Sequence, residues 1–448
     1  MDTTASLATL RAFRADAYAS FRYRADALFE LTDALLTASP APSPAHLSLA
    51  SPHRRGWGST YAALAHGRMT RRAVRDLLAR HPLADGQPLY AVDVSVWARC
   101  DAETSPERGY YYHPSRHSAG QPIVAGWAYQ WINQLSLARD SWTAPLDVRR
   151  VRPGADANSV AAAQIKEVRR RLPADGPVPL FVFDAGYDPV QLALDLGAAH
   201  VATLVRLRKN RCFYADPDPA AAAPTGRPRR HGHKFSCADP STWPPPTSEH
   251  TTADEQYGRV RVRAWAGLHA IPQNHATKGT RGPKPIIRGT LVLVEVSRLP
   301  RQTRKPKQLW LWWQGPTAGL PDLDLLWRAY VRRFDQEHTF RFCKQTLTWT
   351  TPRVRDPAQA DRWTWLVLLA YTQLRLARPV VADQRLPWER RLDAHHLTPY
   401  RVRRAFCAVL PLVGTPANPP KPCGRSPGRP KGVRSGPAPR YPAIKTAA

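Results

Sequence analysis

Paired cysteines, long apolar runs and acids are what this sequence most lacks. Its six cysteines, Cys100, Cys212, Cys237, Cys343, Cys407 and Cys423, stand far apart with no Cys-x-x-Cys among them. That spacing argues against a disulfide framework and a zinc ribbon, and it fits a reducing cytosol. His231, His233 and Cys237 have no fourth ligand at suitable spacing, which weakens a zinc site there. No apolar stretch approaches the ~20 residues that span a membrane. The start, MDTTASLATLRAF, carries an acid at its second position and no apolar core, unlike a signal peptide or an anchor. A P-loop is missing too, so nothing supports ATP use. The scarcity of acids says most: Asp and Glu number 35 against 65 Lys and Arg, leaving +30 on 448 residues. Such a field attracts polyanions and makes nucleic acid the leading partner. Arginine dominates the cations and suits bidentate phosphate or guanine contacts. A GC-rich genome produces the same bias, so the charge itself carries the argument.

What is present falls into segments. Residues 5–36 show helical apolar spacing that a Pro-Ser stretch at 39–52 ends, and a second helical patch runs from Tyr61 to His81. Within it, ALAHGRMTRRAVRDLLARHPL reads as helix, glycine turn and basic helix. This is the outline of a DNA-binding helix-turn-helix and equally of a helical hairpin with a solvated basic face. From residue 87 the texture turns to strands, with PLYAVDVSVWAR, PIVAGWAYQWINQLSL and a segment near WTAPLDVRRV suggesting a meander. A helix (159–172), the run VPLFVFD, a helix (189–196) and the strand HVATLVRLR follow, an alternation that predicts parallel crossovers. The expected fold is therefore α/β with an RNase H-like core in two parts, 87–212 and 308–413. A basic β-rich insertion (213–307) separates them, a helical N-terminal region (1–86) precedes them, and a basic Pro/Gly-rich tail (414–448), expected to be disordered, follows. LWLWWQG reads as one more strand, residues 321–347 as one long helix, and 363–376 as a helix packed beside it.

Three acids stand out. Asp93 lies in YAVDVSVW among apolar or small neighbours, where a carboxylate must be satisfied by a cation, a proton, a metal or a hydrogen bond. Asp184 ends LFVFD, at the strand end where ligands of open α/β sheets gather, with Gly186 allowing a sharp turn. A helix cap is the competing role, but Asp188 is better placed for it. In WRAYVRRFDQEHTFRFCKQ, helical geometry at about 100° per residue puts Tyr330, Arg333, Glu337 and Lys344 at about 0°, −60°, −20° and −40°. Leu323 and Leu326 share that stripe, which predicts an inward face, while Asp335 points away. A buried salt-bridge ladder would give the same alignment.

The spacing Tyr-x2-Arg-x3-Glu-x6-Lys matches the YREK signature of bacterial insertion-sequence DDE transposases. Asp-Ala-Gly-Tyr at 184–187 looks like that group's second-aspartate motif. DVSVWARCDAETSPERGYYYH, AGWAYQW and GRPKG resemble actinobacterial-type members, so the resemblance spans residues 87 to about 440. It implies Asp93, Asp184 and Glu337 as catalytic residues and ligands of two Mg²⁺ (or Mn²⁺), with Tyr330, Arg333 and Lys344 handling the DNA backbone. Oxygen ligands suit such hard cations, and a metal pair suits in-line displacement at phosphorus. The implied partners are double-stranded DNA, as terminal inverted repeats and target, and a second copy in a dimer on DNA. The implied setting is the bacterial cytoplasm, at the nucleoid. SPGRPKGVR (426–434), with Arg429 and Lys431, resembles an AT-hook or serves as a generic phosphate-binding tail, and TGRPRRHG (225–232) repeats the theme. Trp310, Trp312 and Trp313 suit a base-stacking platform or a sheet core. A nuclease or domesticated relic with the same metal site, and a non-enzymatic DNA-binding protein with structural carboxylates, are the alternatives to a transposase.

Overall fold

Apolar side chains alternate along the middle of the chain and recur at helical spacing on either side, the pattern of helices layered on a sheet. The computed structural model describes residues 3–38, 41, 43–83, 88–113, 122–138, 140–218, 229–271, 285–300, 305–316, 319–422, 428, 430–434 and 436–445. The first of these form α1 (Thr3–Ala19), β1 (Phe21–Tyr23), α2 (Ala25–Thr37), α3 (Pro44–Leu47), α4 (Trp57–His66), β2 (Arg68–Met69) and α5 (Arg71–Ala79). The helical patch expected over 5–36 is thus two helices, because Arg24 adopts a left-handed backbone (φ 54°) and turns the chain between them. β1 and β2 pair antiparallel, which ties the start of α5 to the turn after α1.

The sheet begins with β3 (Leu89–Ala98), β4 (Gly109–Tyr112), β5 (Ile123–Gln134) and β6 (Ala144–Val151). It then alternates with helices through α6 (Ala157–Arg169), β7 (Leu180–Phe183), α7 (Pro189–Leu196) and β8 (Ala202–Leu207). β3 pairs antiparallel with β5, and β5 with β6, whereas β7 lies parallel to β3 and β8 parallel to β7. Antiparallel strands passing into parallel crossovers make the mixed sheet of an RNase H-like core. β4, which the strand pattern did not announce, pairs with the start of β5.

The segment read as an insertion supplies β9 (Cys212–Tyr214), β10 (Lys234–Ser236), β11 (Ser248–Asp254), β12 (Gly258–His269) and β13 (Arg288–Val296), and β14 (Leu309–Gln314) follows. β12 pairs with β13, β13 with β14, and β14 with β8, so among the described residues twelve strands join in one sheet. Trp310 and Trp312 are buried in its core, Trp312 stacked on Phe213 with ring centres 4.7 Å apart, which excludes them as a base-stacking platform. Glycine at 289 lets that indole lie on β13: a Cβ there would meet Trp312 Cζ2 at 2.5 Å. Gly289→Ala is therefore expected to cost about 1–3 kcal/mol through overpacking, read from urea-unfolding midpoints.

α8 (Leu323–Arg332), α9 (Phe334–Gln345), α10 (Pro357–Ala377) and α11 (Pro399–Val413) complete the fold. The one long helix expected over 321–347 is broken at Arg333, whose amide is shared between the Ala329 and Tyr330 carbonyls, both at 3.2 Å, in a tightened turn. α10 is buried along most of its length and forms the centre of a helical layer with α1, α2, α4 and α11. Arg14 of α1 anchors that layer, pairing with Asp33 of α2 at 2.7 Å and with Gln373 of α10 at 2.6 Å. The tail departs from the expected disorder at its end: the Tyr441 amide donates to the Glu103 carbonyl and the Ile444 amide to the Arg108 carbonyl, both at 2.7 Å. No described helix is long and apolar enough to cross a membrane.

Candidate active site

Strand alternation decides which way the first two acids face. Leu89 and Ala91 of β3, with Leu180 and Val182 of β7, pack in the cluster that includes Leu323, Leu326 and Ala329 of α8. Their neighbours Tyr90, Val92, Phe181 and Phe183 point to the other face, against α6 and α7. Asp93 and Asp184 continue the α8 series, since side chains two apart share a face. The parallel register runs from Leu89 opposite Leu180 to Val92 opposite Phe183, so the next step sets Asp93 beside Asp184. Asp184 thus follows the carboxyl end of β7, and Asp93 lies in the middle of β3 where its parallel pairing with β7 ends, both on the face covered by α8.

The loop after β7 holds Asp184 in position. The Gly186 amide donates to Asp184 Oδ1 at 2.9 Å, and a Cβ on Gly186 would approach that oxygen to 3.1 Å. Capping of α7 falls to Asp188, whose Oδ1 accepts from Val190 N at 2.9 Å and Gln191 N at 3.0 Å. Asp184 is thereby free of the capping role. Asp188→Ala is expected to lower stability by about 1 kcal/mol without reducing DNA cleavage, as urea unfolding and a gel assay would read it.

The third acid arrives through Arg333. Its Nη1 donates to Asp93 Oδ2 at 2.9 Å and its Nη2 to Glu337 Oε1 at 3.1 Å, while its guanidinium lies 5.8 Å from the Tyr330 ring centre. Burial pushes the Asp93 carboxyl up to about 7, with Asp184 and Glu337 adding to the rise and Arg333 and the Val94 amide opposing it. Burial works against the Arg333 charge, but Asp93, Tyr330, Glu337 and Asp184 outweigh it and hold the group above its ordinary range. Arg333 is thus the cation that offsets the half-buried Asp93 carboxylate beside Asp184.

The break at Arg333 changes the inward stripe. In α8, Leu323, Leu326 and Ala329 face the sheet, whereas the buried residues of α9 are Gln336, Thr339, Phe340 and Cys343. With Tyr330 again at zero, α9 turns a face near roughly −130° inward, about 100° from Glu337 and Lys344. Glu337 therefore stands at the rim with 42% of its side chain exposed, and Arg333 stays inside. Lys344 lies over the Trp349 ring at 5.9 Å, where burial lowers its pKa, two turns from the acids. Asp335 points away as expected and pairs with Arg332 at 2.6 Å. Asp101 and Glu103, beyond the far end of β3, are exposed and pair with Arg353 and Arg440. Lys431 is exposed in the tail, and Arg429 and residues 225–228 lie outside the described residues.

Tyr187 is a site residue that the sequence pattern did not reveal. It is buried on the α7 side, and burial followed by the charges of Asp93 and Asp184 raises its phenol well above the usual range. Its ring packs on Phe183 with centres 4.9 Å apart, and its hydroxyl stays neutral. Its only sequence signal is its place in the Asp-Ala-Gly-Tyr turn.

The donors gathered here are all carboxylate oxygens, which suit a hard divalent cation and not zinc. Among the described residues no three His, Cys, Asp or Glu side chains converge on one point, since the Arg333 guanidinium bridges Asp93 and Glu337. Asp93 and Asp184 offer donors of the right chemistry for such a cation, while Glu337 is paired with Arg333.

Residues 16–270 match the family model described as DDE superfamily endonuclease. The matched stretch contains Asp93 and Asp184, ends before Glu337, and starts within α1, well before residue 87 where the motif resemblance began. No curated protein matches the chain.

Proposed function

Because the chain belongs to the DDE superfamily endonucleases, we propose that it is a DNA transposase that cleaves at insertion-sequence ends and joins them to target DNA. What supports this reading is the placement of Asp93 and Asp184 one step beyond the paired residues Val92 and Phe183, with Arg333 joining Asp93 to Glu337. Asp93, Asp184 and Glu337 hold two Mg²⁺ (or Mn²⁺). Bound there, the metal pair supplies an activated water or 3′-hydroxyl and neutralises the leaving oxygen.

The chain's own groups do the rest. Were Glu337 to ligate a metal, Arg333 would keep Asp93 as its partner and could offer its other guanidinium nitrogens to a phosphate oxygen. The Tyr330 ring lies 5.8 Å from that guanidinium and favours its charge, and Lys344 takes a flanking phosphate. Asp93, half-buried and with its carboxyl pushed up to about 7, would have to lose its proton to serve as a metal ligand. The helical region 1–86 and the tail with Arg429 and Lys431 hold duplex DNA, the segments 87–212 and 308–413 carry the chemistry, 213–307 widens the sheet, and two copies bring two ends together.

A DNA fragment carrying the gene with its flanking sequence, incubated with the protein, Mg²⁺ and a target plasmid, tests this reading. Excision at matched inverted repeats and their insertion into the plasmid is the expected product. Cleavage without end specificity or joining would leave only the endonuclease.

A further inference from the structure

The basic second helix of the N-terminal pair does not stand free for a DNA groove. α5 packs on β6, and its Arg75 donates to the buried Asp147 of that strand at 2.6 Å while lying over Trp365 of α10. Around this contact a cleft of about 730 Å³ opens between α5, the outer edge of β6, α6 and α10. Eight arginines line it.

The charges of this cleft do not cancel. The inner arginines are tied down: Arg149 to Asp147, Arg150 to Asp361 and Glu107, and Arg171 to Asp76 and Glu167. Five carboxylates, Asp76, Glu107, Asp147, Glu167 and Asp361, are thus shared among eight guanidinium groups, leaving three cations in excess. The excess lies at the mouth. Arg72 is exposed and has no ion pair among the described residues, Arg152 is 75% exposed with Glu107 only at 3.9 Å, and Arg170, 70% exposed, shares Glu167 with Arg171, at 2.7 and 2.8 Å. Clustered like charges around a water-filled hollow destabilise a fold unless an anion enters, and paired inner arginines hold the outer ones on a fixed frame.

We infer that this cleft docks the phosphodiester backbone of duplex DNA, its strand β6 lying two strands over from the β3 strand that carries Asp93. The cleft is far larger than one phosphate group, it opens at a sheet edge and not into the core, and α5 presents a row of arginines along it. Asp147 and Asp361 orient the inner guanidinium groups, and Arg72, Arg152 and Arg170 meet successive phosphates. The inference rests on the endonuclease reading only in taking DNA as substrate.

The test is the triple variant Arg72→Ala, Arg152→Ala, Arg170→Ala, measured by fluorescence anisotropy on a labelled duplex without divalent metal across a KCl series. The expected result is affinity weaker by about tenfold or more at ~0.1 M salt, and a log–log salt slope shallower by roughly 2–3, at about 0.9 per lost phosphate contact. The matching Arg→Lys triple should retain most of the slope, and unchanged melting temperatures should show both fold. Affinity and slope equal to wild type would overturn the inference, as would tripolyphosphate binding to the wild-type cleft without displacing DNA. Asp184→Asn separates the two readings. If wild type cleaves DNA but the triple variant binds it normally, the cleft fails and the endonuclease stands. Loss of binding in the triple variant, with no cleavage by wild type or Asp184→Asn, would uphold the cleft and sink the endonuclease.

Discussion

Asp93→Asn and Asp184→Asn should each lower metal-dependent DNA cleavage by at least about a thousandfold, and Glu337→Gln by a similar factor, with duplex affinity within a few-fold of wild type. Each change keeps the side chain's shape and removes only the anion. Asp93→Asn leaves Arg333 paired with Glu337, and Glu337→Gln leaves it paired with Asp93, so the buried guanidinium keeps a partner in both. Folding should therefore survive, and loss of activity can be read as loss of a ligand. Asp335→Asn is the control from the same helix. Its partner is Arg332 and its direction is away from the aspartates, so cleavage should stay near wild type. Single-turnover cleavage of a labelled duplex in Mg²⁺ measures all four.

Arg14→Ala should cost about 3–5 kcal/mol, because it strands a buried carboxylate. Arg14 and Asp33 are each 1% exposed, joined by two contacts of 2.7 and 2.9 Å, and the same guanidinium reaches Gln373 at 2.6 Å and the Gly414 carbonyl at 2.7 Å. One side chain thus fastens α1 to α2, α10 and the end of α11. Replacing both members together, Arg14→Met with Asp33→Leu, should recover most of the loss, since an apolar pair of similar volume avoids the stranded charge. Urea unfolding followed by tryptophan fluorescence reads both. A cost below about 1 kcal/mol for the single change would mean that the N-terminal helices are not part of the core.

The features most legible in the sequence were those set by local period. Alternation through Leu89, Ala91 and Asp93, and through Leu180, Val182 and Asp184, already assigns the two aspartates to one face. Asp188 as the cap of α7 and the β-α-β order were equally local. Glu337 was found from its spacing to Arg333, but its exposure was not, because the rotation at Arg333 arises from packing. Phe340 and Cys343 turn toward the Trp131 and Trp349 cluster, a contact far apart in sequence. Pairing of β8 with β14 likewise joins strands that lie far apart in the chain, so residues 213–307 read as separate when their strands lengthen one sheet. The arginine cleft draws on α5, β6, α6 and α10, and in the sequence its charges are indistinguishable from the diffuse excess of +30.

Calorimetric titration with Mn²⁺, in the presence of a short duplex, tests the central claim most directly. Saturable binding to wild type should disappear in Asp93→Asn and Asp184→Asn and weaken in Glu337→Gln. Heats for wild type that match those of the aspartate variants would contradict it, and would leave Asp93 and Glu337 as structural partners of Arg333 and Asp184 as the acceptor of the Gly186 amide.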